Sequence, residues 1–198
     1  MGRTSDAREK LLAVAFDLIY ENSYGTVSVE QICRRAKVNK GSFYYFFKTK
    51  TDLVVAAYEE HWQIKLPDYD RIFSKENPPL RRLSLWCEYV RGVQKKRRAQ
   101  YGHACGCPYT SLGGELATRD TKVQHKAQDL VERHVNYLFG AIDDAQRAGQ
   151  AQAGDARVKA ELAHSFVIGL SLRAKIYNDL AILRHMESAI FALIGAVQ

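Results

Sequence analysis

Apolar side chains recur every three to four residues along most of the chain, which is the spacing of one face of an α-helix. The first apolar stripe comprises Leu11, Leu12, Ala15, Phe16 and Ile19. Two short helices are predicted next, one behind the capping residue Ser28 and one over 40–47. A fourth helix, with apolar positions from Leu53 to Trp62, is predicted to end at Pro67, because proline in a helix interior removes a backbone hydrogen bond.

The second half of the chain continues the helical pattern. The pair Pro78-Pro79 suits the first turn of a helix and predicts one over 80–99. After a loop over 102–108, the predicted helices are a short one containing Leu112 and Leu116 and three long ones over 121–148, 155–178 and 180–197. No segment predicts a β-strand, so the expected fold is all-α with about nine helices.

Composition agrees with a folded helical protein and excludes a membrane-spanning one. Of the 198 residues, 46% are hydrophobic and 26% are charged, which is typical of globular domains. The longest nearly uncharged apolar stretch, 188–197, is much shorter than the ~20 residues that cross a bilayer. The N-terminal residues form a charged amphipathic pattern without an apolar signal segment, so we expect a cytoplasmic protein whose cysteines are thiols.

The net charge of +7 is concentrated near the N-terminus. Residues 1–50 hold nine Lys and Arg against five Asp and Glu, a formal excess of +4. Such an excess favours a polyanionic partner. A second basic concentration lies between Arg81 and Arg98. We interpret it as a solvated helix face, with the tuning of a nearby thiol as the alternative.

Residues 26–53 have the spacing of a helix-turn-helix, with the turn at 36–38. In this motif the second helix enters the DNA major groove and the first crosses the backbone. Asn39 is placed to cap the second helix, and Gly41 in its first turn permits close approach to a phosphate or a base edge. The predicted DNA-facing residues are Asn39, Lys40, Gly41, Ser42, Tyr44 and Tyr45.

This segment resembles the DNA-binding domain of the tetracycline-repressor (TetR) family of bacterial transcription regulators. The matching positions are Thr26, Ile32, Ala36, Val38, Lys40, Gly41, Ser42, Phe43, Tyr44, Phe47, Lys50 and Leu53. The resemblance implies a three-helix DNA-binding domain over 1–50 and a helical domain for effector binding and dimerisation over 51–198. It also implies contacts to flanking phosphates from Thr26, Ser28 and Lys50.

Two positions depart from the family pattern. Lys37 stands at the turn where the family usually has glycine, so a left-handed backbone is expected at a non-glycine residue. Cys33 replaces a small alanine in the first helix of the motif and is interpreted as a buried apolar residue.

A loop that contains two cysteines forms a second candidate site. Cys107 directly precedes a short helix, and the helix N-terminus with the basic residues 95–98 favours the thiolate that reacts with electrophiles and oxidants. Together with residues 170–176, this block resembles a TetR subgroup that includes the N-ethylmaleimide-responsive repressors. That resemblance implies that Cys107 is the sensing cysteine and that Lys175 lies near it.

Other roles remain open for the same loop. Cys107 is equally suited to packing the short helix against its neighbours. Cys105 adds a Cys-x-Cys pair that has the spacing for a strained disulfide, or for a soft-metal site with His103. No fourth protein ligand is evident, so we expect no metal.

Aromatic residues predict a pocket for a small ligand, with Trp86 and Tyr109 as candidate effector contacts. The alternative for each is a place in the core. The last two helices carry apolar residues on more than one face, which predicts a homodimer and, from its two-fold symmetry, a pseudo-palindromic operator.

We therefore expect a homodimeric repressor that leaves its double-stranded DNA operator when an electrophile, an oxidant or a small molecule acts, with Cys107 as the candidate sensor. The alternative is a conventional regulator of a small hydrophobic ligand with structural cysteines. A cysteine-dependent enzyme using His103 or His125 is disfavoured, since the sequence has no nucleophile elbow, phosphate-binding glycine loop or HExxH motif. No cofactor is expected.

Overall fold

The computed structural model describes residues 3–197, with side chains from Asp6 onward. The helices are α1 (Arg3–Glu21), α2 (Val29–Ala36), α3 (Lys40–Phe46), α4 (Lys50–Ile72), α5 (Pro79–Tyr101), α6 (Pro108–Leu116), α7 (Thr121–Arg147), α8 (Ala156–Tyr177), a 3₁₀ helix (Leu180–His185) and α9 (Met186–Ile194). The predicted all-α fold class is confirmed. Over the described range, no helix is long and apolar enough to cross a membrane.

The chain forms two compact units. The first contains the residues up to Lys65 together with Pro108–Leu130, and the second contains Leu66–Cys107 together with the residues from Val131 onward. The short helix α6 and the start of α7 therefore fold with the helix-turn-helix. The functional division at residue 50 stays a prediction.

Helices α1, α2 and α3 build the core of the first unit. Leu11, Ile32, Phe43 and Leu53 have no solvent exposure, and the whole predicted stripe of α1 is buried. Cys33 is 5% exposed, which agrees with its predicted role as a buried apolar residue.

The turn between α2 and α3 has the left-handed backbone that the family resemblance implies at Lys37. Lys37 adopts φ 55° and ψ 41°, in the left-handed region, and its N–H donates to the carbonyl of Arg34 at 3.2 Å. The N–H of Val38 donates to the carbonyl of Cys33 at 3.0 Å. These bonds satisfy the last carbonyls of α2 and offset the cost of about 1–2 kcal/mol for a side chain in this region.

Polar contacts attach the start of α7 to α4 within the first unit. Thr51 donates to Asp120 at 3.0 Å, and Lys122 and Lys126 form ion pairs with Asp52 at 2.6 Å and Glu59 at 2.8 Å. Most of these groups are partly exposed, so each pair contributes little by itself. Together they fix the register of the two helices.

The prediction that Pro67 ends α4 was wrong, because the helix continues to Ile72. An interior proline costs a helix about 3 kcal/mol. Tyr69 is 6% exposed and Ile72 is 2% exposed in the second unit. Burying two such side chains contributes about 1.5–3 kcal/mol each, which is enough to offset the proline.

The core of the second unit is formed by α5, α7, α8 and the C-terminal helices. Leu83, Leu138, Ile142 and Ile190 are fully buried there. The segment 180–197, predicted as one helix, is a 3₁₀ helix followed by α9. Helix α9 ends at Ile194, because Gly195 adopts a left-handed backbone with φ 64°.

One residue of the basic run 81–98 is not solvated as expected. Arg82 is 5% exposed, and its guanidinium donates to Asp144 Oδ2 at 2.6 Å and to the carbonyl of Asn77 at 2.9 Å. Asn77 in turn donates to the carbonyls of Arg71 and Ile72 at the end of α4. The Arg82–Asp144 ion pair therefore joins the α4–α5 connection, which contains Asn77, to α7.

Replacing Asp144 by Asn is expected to destabilise the protein by about 3 kcal/mol, because the buried Arg82 charge loses its partner. Urea unfolding followed by circular dichroism measures the change. Asp143→Asn is the matched control: its partner Arg147 is 75% exposed, so a loss below about 1 kcal/mol is expected. Equal losses in the two variants would contradict this assignment.

Candidate nucleic-acid interface and effector site

Helix α3 presents one face to solvent and one to the core. Asn39 Oδ1 accepts the N–H of Ser42 at 2.7 Å and so caps the helix. Phe43 is fully buried, whereas Tyr44 is 57% exposed and Tyr45 is 75% exposed. A Cβ at Gly41 would lie 3.3 Å from Asn39 Oδ1, so glycine keeps this cap uncrowded.

The predicted contact residues of α3 share this outer face. Asn39, Lys40 and Gly41 are exposed, and Ser42 is half-buried. Lys40 forms an ion pair with Glu30 of α2. The hydrogen bond that the Lys40 ammonium group donates to Glu30 raises the pKa of Lys40. DNA phosphates would compete with Glu30 for this ammonium group.

The loop before α2 holds the predicted phosphate contacts Thr26 and Ser28. Thr26 is exposed. Ser28 forms a capping box, in which its Oγ accepts the N–H of Gln31 at 3.1 Å and its own N–H donates to Gln31 Oε1 at 2.6 Å. The cap fixes the position at which α2 begins.

Lys50 has partners within the protein. Its ammonium group donates to the carbonyls of Tyr24 and Val27 at 2.5 Å each and lies 3.7 Å from the centre of the Tyr24 ring. Burial lowers the pKa of Lys50, while the charge of Glu115 acts in the opposite direction. The phosphate contact that the resemblance implies for Lys50 stays a prediction.

Sequence analysis missed two residues beside this surface. A groove of about 380 Å³ between α1 and α2 is lined by Leu18, Asn22, Thr26, Val27, Gln31, Arg34 and Arg35. Arg34 and Arg35 are both exposed. The available signal was the pair of adjacent arginines in α2, the helix that is expected to cross the DNA backbone in this motif.

The cysteine loop lies in the second unit. Gln94 is buried and donates to the carbonyl of Gly106 at 2.8 Å, and the N–H of Ala104 donates to Asn178 Oδ1 at 3.0 Å. Gly106 has φ 78°, and a Cβ there would lie 3.6 Å from Lys175 Cδ. The loop is therefore packed closely against α8 beside Lys175.

The four cysteines differ in exposure. Cys33, Cys87 and Cys105 are buried, while Cys107 is half-buried, and none is in a disulfide. Burial raises the pKa of Cys87 to about 12, which makes it an unreactive thiol. Among the described residues no group of three or more His, Cys, Asp or Glu is arranged to hold a metal ion, so the alternative with His103 gains no support.

Tyr69 is a buried residue beside Cys107 that sequence analysis missed. Burial raises the pKa of Tyr69, and electrostatic interaction with Tyr89 and Cys107 acts in the same direction. The ring of Tyr69 lies 5.5 Å from Tyr89 and 5.1 Å from His134. Tyr69 was missed because its segment follows Pro67 and was predicted to lie outside the helix.

The remaining effector candidates are divided between the units. Trp86 is 2% exposed in the second unit and forms a side-chain hydrogen bond with Tyr69. Tyr109 is buried in the first unit, where its hydroxyl and His61 Nδ1 are 2.8 Å apart. His164 of the second unit is buried as well, and burial lowers its pKa to about 4, so it is neutral at physiological pH.

Comparison with known proteins identifies the class. The model of "Bacterial regulatory proteins, tetR family" matches residues 11–57, and that of "Tetracyclin repressor-like, C-terminal domain" matches residues 79–190. The chain belongs to the TetR family and is a transcriptional regulator, not an enzyme. Regulators of this family bind DNA operators and small-molecule effectors, usually as dimers.

Three relatives illustrate the similarity. An uncharacterized HTH-type transcriptional regulator of Lactococcus lactis is 27% identical over 63% of this chain, which spans 62% of that protein. The transcriptional regulator AcuR of Cereibacter sphaeroides is 28% identical over 86% of this chain and 77% of its own.

The HTH-type transcriptional repressor NemR of Escherichia coli is 24% identical over 86% of this chain and 85% of its own. The crystal structure of its reduced form aligns with a TM-score of 0.82 over 97% of this chain and 98% of that one, at 21% identity. This structural likeness shows the shared fold.

Replacing Arg35 by Gln is expected to reduce the slope of log K against log salt by about 0.9 on a mixed-sequence DNA duplex, since one phosphate contact fewer releases about one counterion fewer. Fluorescence anisotropy at several salt concentrations measures the slope. Arg147→Gln, in the second unit, is the matched control and should leave it unchanged. The same slope in both variants and the wild type would exclude Arg35 from the DNA interface.

Proposed function

We propose that this TetR-family regulator is a homodimeric repressor whose two α3 helices bind a pseudo-palindromic operator, and that modification of Cys107 by an electrophile or oxidant releases the DNA. The observation that carries the sensing part is the difference among the four thiols: three are buried and Cys107 is accessible in part. The DNA-binding part is supported by the exposed polar face of α3. A regulator that binds chromosomal DNA is expected in the cytoplasm.

An apolar stripe on α8 supports the homodimer. The side chains of Val158, Leu162, Leu172 and Ile176 are 46%, 52%, 54% and 71% exposed. They follow one helical face, and a Cβ at Gly169 on that face would meet open space. An exposed apolar face of this kind is typical of an interface. A second copy of α8 would cover it in a two-fold arrangement, which gives two α3 helices related by the same symmetry.

The surroundings of Cys107 support the chemistry. Cys107 directly precedes α6, and the partial positive charge of a helix N-terminus stabilises a thiolate. Lys175 lies beside the neighbouring Gly106. With a maleimide or another activated alkene, the Cys107 sulfur forms a C–S bond at one alkene carbon, the C=C π bond is lost, and the other carbon takes up the proton.

The relative NemR is named a repressor, and its crystal structure is of a reduced form. Both descriptions agree with repression and with thiol chemistry for the present chain.

A second candidate is a regulator of a small hydrophobic ligand with structural cysteines. The aromatic side chains around Tyr69, Trp86 and Tyr89 favour it, since such rings line ligand pockets. In that case Cys107 would contribute to the wall of the pocket, and its replacement would change ligand affinity without removing the response.

N-Ethylmaleimide is expected to weaken operator binding of the wild-type protein by about 5–150-fold, the usual range of allosteric coupling. The test uses the duplex that the wild-type protein selects from a random pool, with anisotropy as the readout. Cys107→Ser should bind the duplex with wild-type affinity, and N-ethylmaleimide should not change that affinity. The control Cys105→Ser should lose affinity on treatment as the wild type does. Equal release from the wild type and Cys107→Ser would exclude Cys107 as the sensor.

Replacing Ile176 by Glu is expected to separate the dimer, because a charge would be placed within an apolar interface. Sedimentation velocity should then show a monomer, and operator affinity should fall by about 100-fold or more as the two half-sites cease to be bound together. Val197→Glu, whose side chain is similarly exposed (66% against 71% for Ile176) but lies outside α8, is the control. A stable dimer of the Ile176 variant would contradict the proposed interface.

A further inference from the structure

The loop between α1 and α2, residues 22–28, is held by side chains from two distant helices of the first unit. We call it the Tyr24 loop. The N–H of Tyr24 donates to Glu115 Oε2 at 3.0 Å, and its carbonyl accepts from Lys50 at 2.5 Å. Its hydroxyl lies 3.1 Å from Thr51 Oγ1. Both backbone polar groups of Tyr24 and its hydroxyl are thus engaged by α4 or α6.

Glu115 accepts hydrogen bonds from this loop with both carboxylate oxygens. The N–H of Gly25 donates to Glu115 Oε1 at 2.7 Å, beside the bond from Tyr24 to Oε2. Two backbone N–H groups on one carboxylate form charge-assisted hydrogen bonds, which are stronger than neutral ones. A Cβ at residue 25 would lie 3.2 Å from Oε1, so glycine allows the carboxylate to approach.

The position of Glu115 along the chain places this contact between the helix that follows Cys107 and the loop before α2. It lies at the end of α6, and α6 begins at Pro108, directly after Cys107. The polar contacts from the start of α7 go to α4, at Thr51, Asp52 and Glu59. The contacts of Glu115 go to the Tyr24 loop, which carries Thr26 and ends at Ser28, the cap of α2.

We infer that Glu115 is a positioning residue whose two hydrogen bonds to the Tyr24 loop couple α6 to the DNA-binding helices. This inference rests on the proposed function for the signal at Cys107. In the DNA-binding state the carboxylate holds Tyr24 and Gly25 and so sets the start of α2. Displacement of α6 at its Cys107 end breaks these bonds, and their loss supplies the difference between the two states that an effector needs.

The substitution Glu115→Gln separates this role from simple electrostatics. Removing a negative charge from the DNA-binding unit would by itself strengthen binding to a polyanion. A glutamine, however, has one acceptor oxygen, and its amide group would face an N–H donor. If Glu115 positions the loop, operator affinity falls by about tenfold, as expected for the loss of a charge-assisted bond.

The experiment measures binding to the selected duplex before and after N-ethylmaleimide, and amide hydrogen exchange at Tyr24 and Gly25. In the wild type, alkylation of Cys107 should speed exchange at both amides. In Glu115→Gln these amides should exchange rapidly from the start, and alkylation, checked by mass spectrometry, should change DNA affinity less than twofold. Glu88→Gln, an exposed glutamate paired with Arg81, is the matched control and should behave as the wild type.

Gly25→Ala gives an independent perturbation of the same contact if Glu115→Gln is poorly folded. The added methyl group displaces the carboxylate, so weaker DNA binding and faster exchange at Tyr24 are expected again. Tighter or unchanged DNA binding in these folded variants would overturn the inference. A wild type that ignores N-ethylmaleimide would overturn sensing at Cys107, whereas the role of Glu115 would still be decided by the affinity and exchange of its variants.

Discussion

The backbone of the Tyr24 loop needs hydrogen-bond partners, and this need links the parts of the first unit. A loop between two helices cannot satisfy its own N–H and C=O groups by regular pairing. Lys50 supplies donors to two carbonyls and Glu115 supplies acceptors to two N–H groups. Because these side chains come from α4 and α6, the loop before the helix-turn-helix is held both by the helix that follows the motif and by α6, which is far from it in sequence.

The outer face of α3, which is the proposed DNA-binding surface, depends on that arrangement. Helix α3 has only seven residues, so its direction is fixed by the buried Phe43, by the Asn39 cap and by the left-handed turn at Lys37. Tyr44 and Tyr45 are exposed because Phe43 is buried. The Tyr24 loop sets the start of α2 in the same way, so a small displacement of the loop changes the position of the residues expected to contact phosphates.

Sequence analysis predicted the parts of the fold that local patterns determine. The stripe of α1 and the two short helices of the motif each follow from spacing and capping over fewer than ten residues, and the backbone of Lys37 follows from the family resemblance, which places glycine at that turn. The continuation of α4 through Pro67 was not predictable in this way, because it depends on burial of Tyr69 and Ile72 in a core assembled from distant segments. The burial of Arg82 within an otherwise basic run was not predictable for the same reason, because its partner Asp144 comes from a distant segment.

The candidate sites show the same limit. The outer face of α3 followed from the motif, whereas the partners of Lys50 depend on a loop 23–26 residues away and the role of Glu115 on one 90–91 residues away. The sequence shows Arg34 and Arg35 as two of many basic residues, and their place in the groove between α1 and α2 is what distinguishes them from the others. Contacts between distant segments therefore decide which of several plausible polar residues have a specific role.

Two copies of this chain are proposed to bind DNA through α3 in a two-fold arrangement. Hydroxyl-radical footprinting on the duplex selected from a random pool tests it most directly. We expect two symmetry-related protected patches with centres about one helical turn, roughly 10 base pairs, apart. A single unsymmetric patch, or protection without sequence preference, would contradict the account.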